Sequence, residues 1–207
     1  MIRVWTADVS ALLEKEIYME YYRQVPVWRR EKADKIKADN DKALSIGAWI
    51  LLQKMREAYG VSEEVAYNLS HSGTMAMCAL SDRENEDIKV GCDIEKARSF
   101  NAKLVERFFC ESEKKYLLTC EDKDKMFGRF WVLKESFMKA TQQGMKMALN
   151  LFEIKIEKDN TAILYKKPEQ FSEAYYYREF GLENREYSMA VCSTDENIDE
   201  EIQEIIL

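Results

Sequence analysis

The chain has 207 residues, 46% of them hydrophobic and 33% charged, with a formal net charge of −7 at pH 7. That length and apolar content fit one large or two small packed domains and exclude a disordered chain. The negative balance argues against broad binding to nucleic acid or an anionic membrane, so an anionic ligand must be held by local lysines and arginines. "ALSIGAWILL" is too short to span a bilayer, and "MIRVWTADVS" lacks the long apolar segment of a signal peptide. Cys78, Cys92, Cys110, Cys120 and Cys192 form no CxxC pair. With His71 the single histidine, a structural zinc site is not expected, and a reducing cytoplasm is.

"IRVWTADV" predicts a first strand from its β-branched and aromatic residues. A charged segment follows, with Arg29, Arg30, Lys32, Lys35 and Lys37. Leu44, Ala48, Leu51, Leu52 and Met55 recur at helical spacing, and Gly60 is placed to stop that helix. "VAYNLSHSGTMAMCALSD" predicts two strands around a turn at "SHSG", then an acidic loop, "DRENED", then a strand over "IKVGCDIEK". Helices are expected from Ser99 to about Gln143, with Ser99 and Ser112 as N-caps and Gly144 as terminator. "LNLFEIKIEKD", "TAILYKK" and "REYSMAVCST" predict a second set of strands, and "DENIDEEIQEIIL" an acidic tail or short closing helix. "TMAMC" (74–78) resembles "SMAVC" (188–192), a hint of two similar α+β halves. No Pro- or Gly-rich linker separates them, so they should pack tightly.

Three stretches carry chemistry. In a strand, Gly91, Asp93 and Glu95 share one face, which places the two carboxylates roughly 6.6 Å apart in Cα terms. Two like charges that close suit a hard dication such as Mg²⁺ between them; a solvated strand face is the plainer reading. In "FGRFWVLKESFMKATQQG", Phe130, Leu133, Phe137 and Ala140 form an apolar stripe, while Glu135 and Lys139 share another face at i, i+4. A surface ion pair is the simple reading. The surrounding Trp131, Val132, Phe137 and Met138 favour a largely buried helix, where a charged pair points to function or to a bound cation. "NLSHSG" holds His71 between Ser70 and Ser72, a turn suited to phosphate and unsuited to a Ser-His-Asp triad; a plain hairpin turn is the simpler reading of this stretch alone.

In this order, "NLSHSG", "VGCDIEKAR" and "FWVLKESFMKATQQGM" resemble the 4'-phosphopantetheinyl transferase superfamily, most closely its surfactin-synthetase-activating type. The family pattern is met by Ser70 and His71, by Gly91, Asp93 and Glu95, and by Trp131, Lys134, Glu135 and Lys139. The likeness is good over about residues 65–155 and implies an α+β fold of two similar, tightly packed halves, each a small antiparallel sheet with a long helix. The division expected is residues 1–88, with coenzyme A phosphate contacts, and 89–207, with the metal site. The implied reaction is Mg²⁺-dependent transfer of the 4'-phosphopantetheine arm of coenzyme A to a serine of an acyl or peptidyl carrier protein. It releases adenosine 3',5'-bisphosphate.

By the same resemblance, Asp93, Glu95 and Glu135 would hold Mg²⁺, with Mn²⁺ an alternative. Glu135, directly or through a water on the metal, would accept the serine proton, and Lys139 would neutralise or protonate the departing oxygen. Ser70, His71, Arg29, Lys32, Lys134 and Lys139 would contact coenzyme A. Lys103 and Arg107, in "KLVERFF", would meet an acidic carrier protein, although Leu104, Val105, Phe108 and Phe109 there also read as plain core. No nucleic-acid or membrane partner is expected, and the chain is expected to be a monomer. The Gly-Lys-Pro stretch usual before the Ser-His pair is absent from "GVSEEVAYN", and Lys42 stands near where relatives often carry an arginine. A non-catalytic coenzyme A or carrier-binding module, or a phosphohydrolase using the same acids, are the competing readings.

Overall fold

The β-branched and aromatic run near the N-terminus forms strand β1 (Ile2–Asp8). In the computed structural model, residues 1–84, 86–144, 147–181 and 186–207 are described. Asn85 of the expected acidic loop, Met145 at the end of the lysine-glutamate stretch and Arg185, the first residue of the expected strand "REYSMAVCST", lie outside them.

The charged segment after β1 is helical. It forms α1 (Lys15–Gln24) and α2 (Val27–Asp34). Pro26 separates them: its ring disfavours a helical Val25, which is extended at φ −85°, ψ 154°. Helix α3 (Asp39–Tyr59) ends where expected, at Gly60 with a left-handed φ of 65°. Strands β2 (Tyr67–Ser72) and β3 (Met75–Ser81) follow. The turn between them falls at Gly73, φ 62°. Ser70 and His71, expected in the turn, therefore lie within β2 and alternate across its faces.

The second half starts with β4 (Val90–Lys96), then α4 (Ala102–Phe108), α5 (Glu111–Thr119) and α6 (Lys123–Ala140). The caps differ from those expected at Ser99 and Ser112. Asn101 caps α4 by accepting from Lys103 and Leu104 N–H, and Asp122 caps α6 by accepting from Lys125 N–H. Ser112 lies inside α5, which is capped at Cys110 with Glu113 reaching back. Gly144 is left-handed, at φ 54°, but α6 already ends at Ala140. Strands β5 (Glu153–Ile156), β6 (Ala162–Lys166), β7 (Tyr176–Phe180) and β8 (Tyr187–Ser193) follow. The acidic C-terminal stretch is neither tail nor helix: Gln203–Ile206 forms β9, parallel to β1.

The strand order is β2-β3-β1-β9 in one sheet, β4-β8-β7 in a second and β5-β6 in a hairpin. Leaving β9 aside, β2-β3-β1 and β7-β8-β4 have the same antiparallel order. In each half the long helix, α3 or α6, follows the first strand. The short repeat at 74–78 and 188–192 falls on β3 and β8, which are equivalent in this scheme. The fold is thus α+β with two similar halves. Ile2, Val4, Met77 and Ala79 of the first sheet meet Val90, Cys92, Ile94 and Val191 of the second in a buried layer. Helices α3 and α6 cover the outer faces, in separate apolar clusters.

Candidate active site

Helix α6 lies directly on β4 because of Gly91. A Cβ there would sit 2.1 Å from Ser136 O and 2.4 Å from Ala140 N, both helix backbone. The close approach brings Glu135 and Lys139 beside Asp93 and Glu95, in a cleft of about 320 Å³ also lined by Ser70, His71 and Trp131. The apolar stripe of α6 points inward as expected, with Phe130, Leu133, Phe137 and Ala140 all buried.

Asp93 is 5% exposed. Its Oδ1 accepts from Ser70 Oγ at 2.8 Å and Lys139 Nζ at 2.7 Å, while its Oδ2 is buried without a hydrogen-bond partner. Burial raises the Asp93 pKa, with Lys139 and Ser70 holding part of that rise back. Glu95 Oε2 accepts from Ser72 Oγ at 3.0 Å. The Glu135 carboxyl is pushed from 4.5 to about 7, first by burial and then by the Asp93 charge, with Lys139 and Arg98 opposing. Arg98, a cleft neighbour that no motif in the sequence singles out, stacks on Trp131 at 4.5 Å.

Among the described residues, no three His, Cys, Asp or Glu side chains already stand close enough together to hold a metal ion. The donor chemistry nevertheless fits a hard dication. Three carboxylates face one cleft, and one of them keeps a buried oxygen that no protein donor satisfies.

A second hollow, of about 480 Å³, adjoins the cleft. Leu69 and His71 line both, and Arg29, Lys32 and Tyr67 line the second. Arg29 and Lys32 thus come together with His71, and Tyr67 joins them; its place two residues before Leu69 on β2 was the available signal. Arg29 is buried and donates through Nε and Nη2 to Ser45 O, at 3.1 and 2.7 Å, beside the Trp49 ring. Arg30 turns away, over Tyr22. Lys42 pairs with Asp39 instead of lining the hollow. The His71 imidazole is drawn below its ordinary pKa by desolvation and by Lys139.

One expected phosphate contact lies elsewhere. Lys134 is 0% exposed and does not reach the cleft. Its ammonium meets Glu113 Oε1, Leu149 O and Phe152 O, each at 2.9 Å, and sits over the Phe152 ring. The Ser70 hydroxyl lines the cleft and is bonded within the protein. It donates to Asp93 and accepts from Ile94 N–H and Lys139, which exhausts one proton and two lone pairs. Lys139 likewise spends its three protons on Ser70 Oγ, Cys92 O and Asp93 Oδ1. Lys103 and Arg107 are exposed on α4, outside both hollows. That helix reaches the cleft wall through Phe108 against Trp131, ring centroids 5.9 Å apart. Val105 and Phe109 of the same helix region are core.

The sequence model of the 4'-phosphopantetheinyl transferase superfamily matches residues 89–192, half of the chain, which include β4 and α6 with all three carboxylates. The chain belongs to this superfamily. Among curated members, it is 31% identical over 142 residues to 4'-phosphopantetheinyl transferase Sfp of Bacillus subtilis (strain 168), covering 66% of this chain and 58% of that one. It is 32% identical over 109 residues to 4'-phosphopantetheinyl transferase gsp of Aneurinibacillus migulanus, covering 52% and 44%. The chain therefore spans about half the length of the curated superfamily relatives it matches. Similar solved structures include a holo-(acyl-carrier-protein) synthase from Bacillus anthracis str. Ames in complex with CoA (3',5'-ADP). It has 17% identity and a TM-score of 0.44 over 51% of this chain and 93% of that one. No described helix is long and apolar enough to cross a membrane.

Proposed function

We propose that this superfamily member transfers the 4'-phosphopantetheine arm of coenzyme A to a serine of an apo acyl or peptidyl carrier protein and releases adenosine 3',5'-bisphosphate. The observation that carries this reading is that the two hollows adjoin, with Leu69 and His71 lining both. The basic one is lined by Arg29, Lys32 and His71, and its neighbour by Asp93, Glu95, Glu135 and Lys139. An anionic nucleotide with a pyrophosphate needs such a sequence of contacts.

The N-terminal half, residues 1–88, supplies the nucleotide contacts, and residues 89–207 supply the carboxylates; β9 crosses back onto the first sheet. Asp93, Glu95 and Glu135 would hold Mg²⁺, or Mn²⁺, which supplies charge neutralisation to the pyrophosphate. Glu135 takes the proton of the attacking serine hydroxyl. The serine oxygen bonds to the phosphorus on the pantetheine side, and the bond from that phosphorus to the oxygen of the adenosine bisphosphate breaks. Lys139 supports the charge left on that oxygen. Its pKa is raised: burial alone would lower it, and Asp93 and Glu135 more than offset that. Lys139 therefore acts as a fixed charge in preference to a proton donor. Lys103 and Arg107 on α4 form the surface for an acidic carrier protein. The protein acts as a monomer in the cytoplasm, where its five free cysteines stay reduced.

The test is release of adenosine bisphosphate from coenzyme A and Mg²⁺, with and without apo carrier protein. Carrier-dependent release is expected. Release without carrier would make the protein a hydrolase, and coenzyme A binding without release would make it a binding module.

A further inference from the structure

Strands β2 and β4 are the edges at which the two sheets meet, and side chains replace a main-chain ladder there. Asn68, Ser70 and Ser72 alternate along β2 and face β4. Asn68 Oδ1 accepts from Cys92 N–H at 3.1 Å, Ser70 Oγ from Ile94 N–H at 3.3 Å and Ser72 Oγ from Lys96 N–H at 3.1 Å. Each hydroxyl has a proton left over, and each gives it to a cleft carboxylate: Ser70 to Asp93 and Ser72 to Glu95. Asp93 has Lys139 as a second donor, whereas Ser72 is the one side chain among the described residues that donates to Glu95. Glu95 is half-buried on a long, rotatable side chain, so an unrestrained carboxylate would lose orientation.

We propose that Ser72 is a positioning residue. Its hydroxyl, oriented by the Lys96 amide, holds Glu95 aimed at the cation site. The inference rests on the metal-dependent reading above. It ties cation affinity to the seam between the halves, because one hydroxyl both joins the strands and aims the ligand.

The test compares Ser72→Ala, Ser72→Thr and Asn68→Ala. Three quantities are measured: Mn²⁺ binding to the coenzyme-free protein by electron paramagnetic resonance, the half-saturating Mg²⁺ for transfer, and thermal unfolding without metal. Loss of a group that orients a metal ligand typically costs about 10-fold or more in affinity. Ser72→Ala should therefore weaken Mn²⁺ binding and raise the half-saturating Mg²⁺ by about that factor, with kcat at saturating Mg²⁺ retained. Ser72→Thr, which keeps the hydroxyl, should restore both. Asn68→Ala breaks the same seam without removing a bond to a carboxylate, so it should lower the unfolding temperature and leave Mn²⁺ affinity of the coenzyme-free protein unchanged. Wild-type Mn²⁺ affinity in Ser72→Ala, no rescue by threonine, or equal weakening by Asn68→Ala would overturn the proposal. A wild-type protein that binds no Mn²⁺ would overturn it too. Ser72-dependent Mn²⁺ binding without any transfer would sustain it and sink the transferase reading instead.

Discussion

Asp93 and Glu135 are unfavourable groups for a protein to bury, and that cost marks the site. Asp93→Ala removes the oxygen that no protein donor satisfies. Loss of one such electrostatic contributor typically costs about 10²–10³ in rate, so transfer should fall at least that far when followed by product release. Near-normal rates would remove Asp93 from the metal site. Glu135 gives a stability prediction with a definite sign. Its pKa rises from 4.5 unfolded to about 7 folded. Between those values the native state binds more protons than the unfolded state, so stability falls as pH rises. Above pH 7 the ionised group is a liability in the metal-free protein. Glu135→Gln should then stabilise the metal-free protein at pH 8 by about 1–2 kcal/mol, discounted for its partial exposure, and have little effect at pH 4.5. Denaturant unfolding at the two pH values checks this. Protons compete with metal for the same group, so Mn²⁺ affinity should also weaken as pH falls below about 7.

Between elements, the decisive contact is α6 on β4. Gly91→Ala pushes a methyl group into helix backbone that cannot step aside. It should cost about 1–3 kcal/mol and reduce transfer by displacing Glu135 and Lys139 together, seen as a lower unfolding midpoint and a lower kcat. The Lys134–Glu113 pair ties α6 to α5 and, through Leu149 and Phe152, to the segment leading into β5. Lys134→Met strands a buried carboxylate and should cost about 3–5 kcal/mol by denaturant titration. Adding Glu113→Gln should recover part of that loss. Local signals revealed β1, from its β-branched and aromatic residues, and α3 and α6, from apolar periods that each face a buried cluster. Helices α1 and α2 were hidden by charge; α1 has no fully buried residue, so its period is faint. Strand β9 was hidden because its partner, β1, lies at the other end of the sequence and its own residues are mostly exposed. The carboxylates were legible from alternation in β4 and i, i+4 spacing in α6. The charge of Lys134 suggests a phosphate contact, but its position does not; at i+4 from Phe130 and i−3 from Phe137 it sits on the buried stripe. Ser70 and Ser72 could not be read as carboxylate partners, because nothing in the sequence says that β2 and β4 meet.

For the whole molecule, charge and symmetry set the terms. A net charge of −7 repels an acidic partner at long range, so docking must depend on a local basic surface. Removing Lys103 and Arg107 together as alanines should raise the KM for carrier protein and leave kcat and the KM for coenzyme A unchanged. Steady-state kinetics in both substrates separates these, and unchanged carrier KM would move the docking surface elsewhere. The two halves share a strand order but differ in chemistry. The basic hollow is lined mostly by residues of the first half, the three acids come from the second, and β2 lines both hollows. The proposed function has this junction move phosphopantetheine onto a carrier serine. Mass spectrometry of apo carrier proteins incubated with the protein, coenzyme A and Mg²⁺ tests it most directly. The expected result is a gain of one phosphopantetheine on the carrier serine, lost with Asp93→Ala or a chelator. No gain on any of several acyl and peptidyl carriers would contradict it.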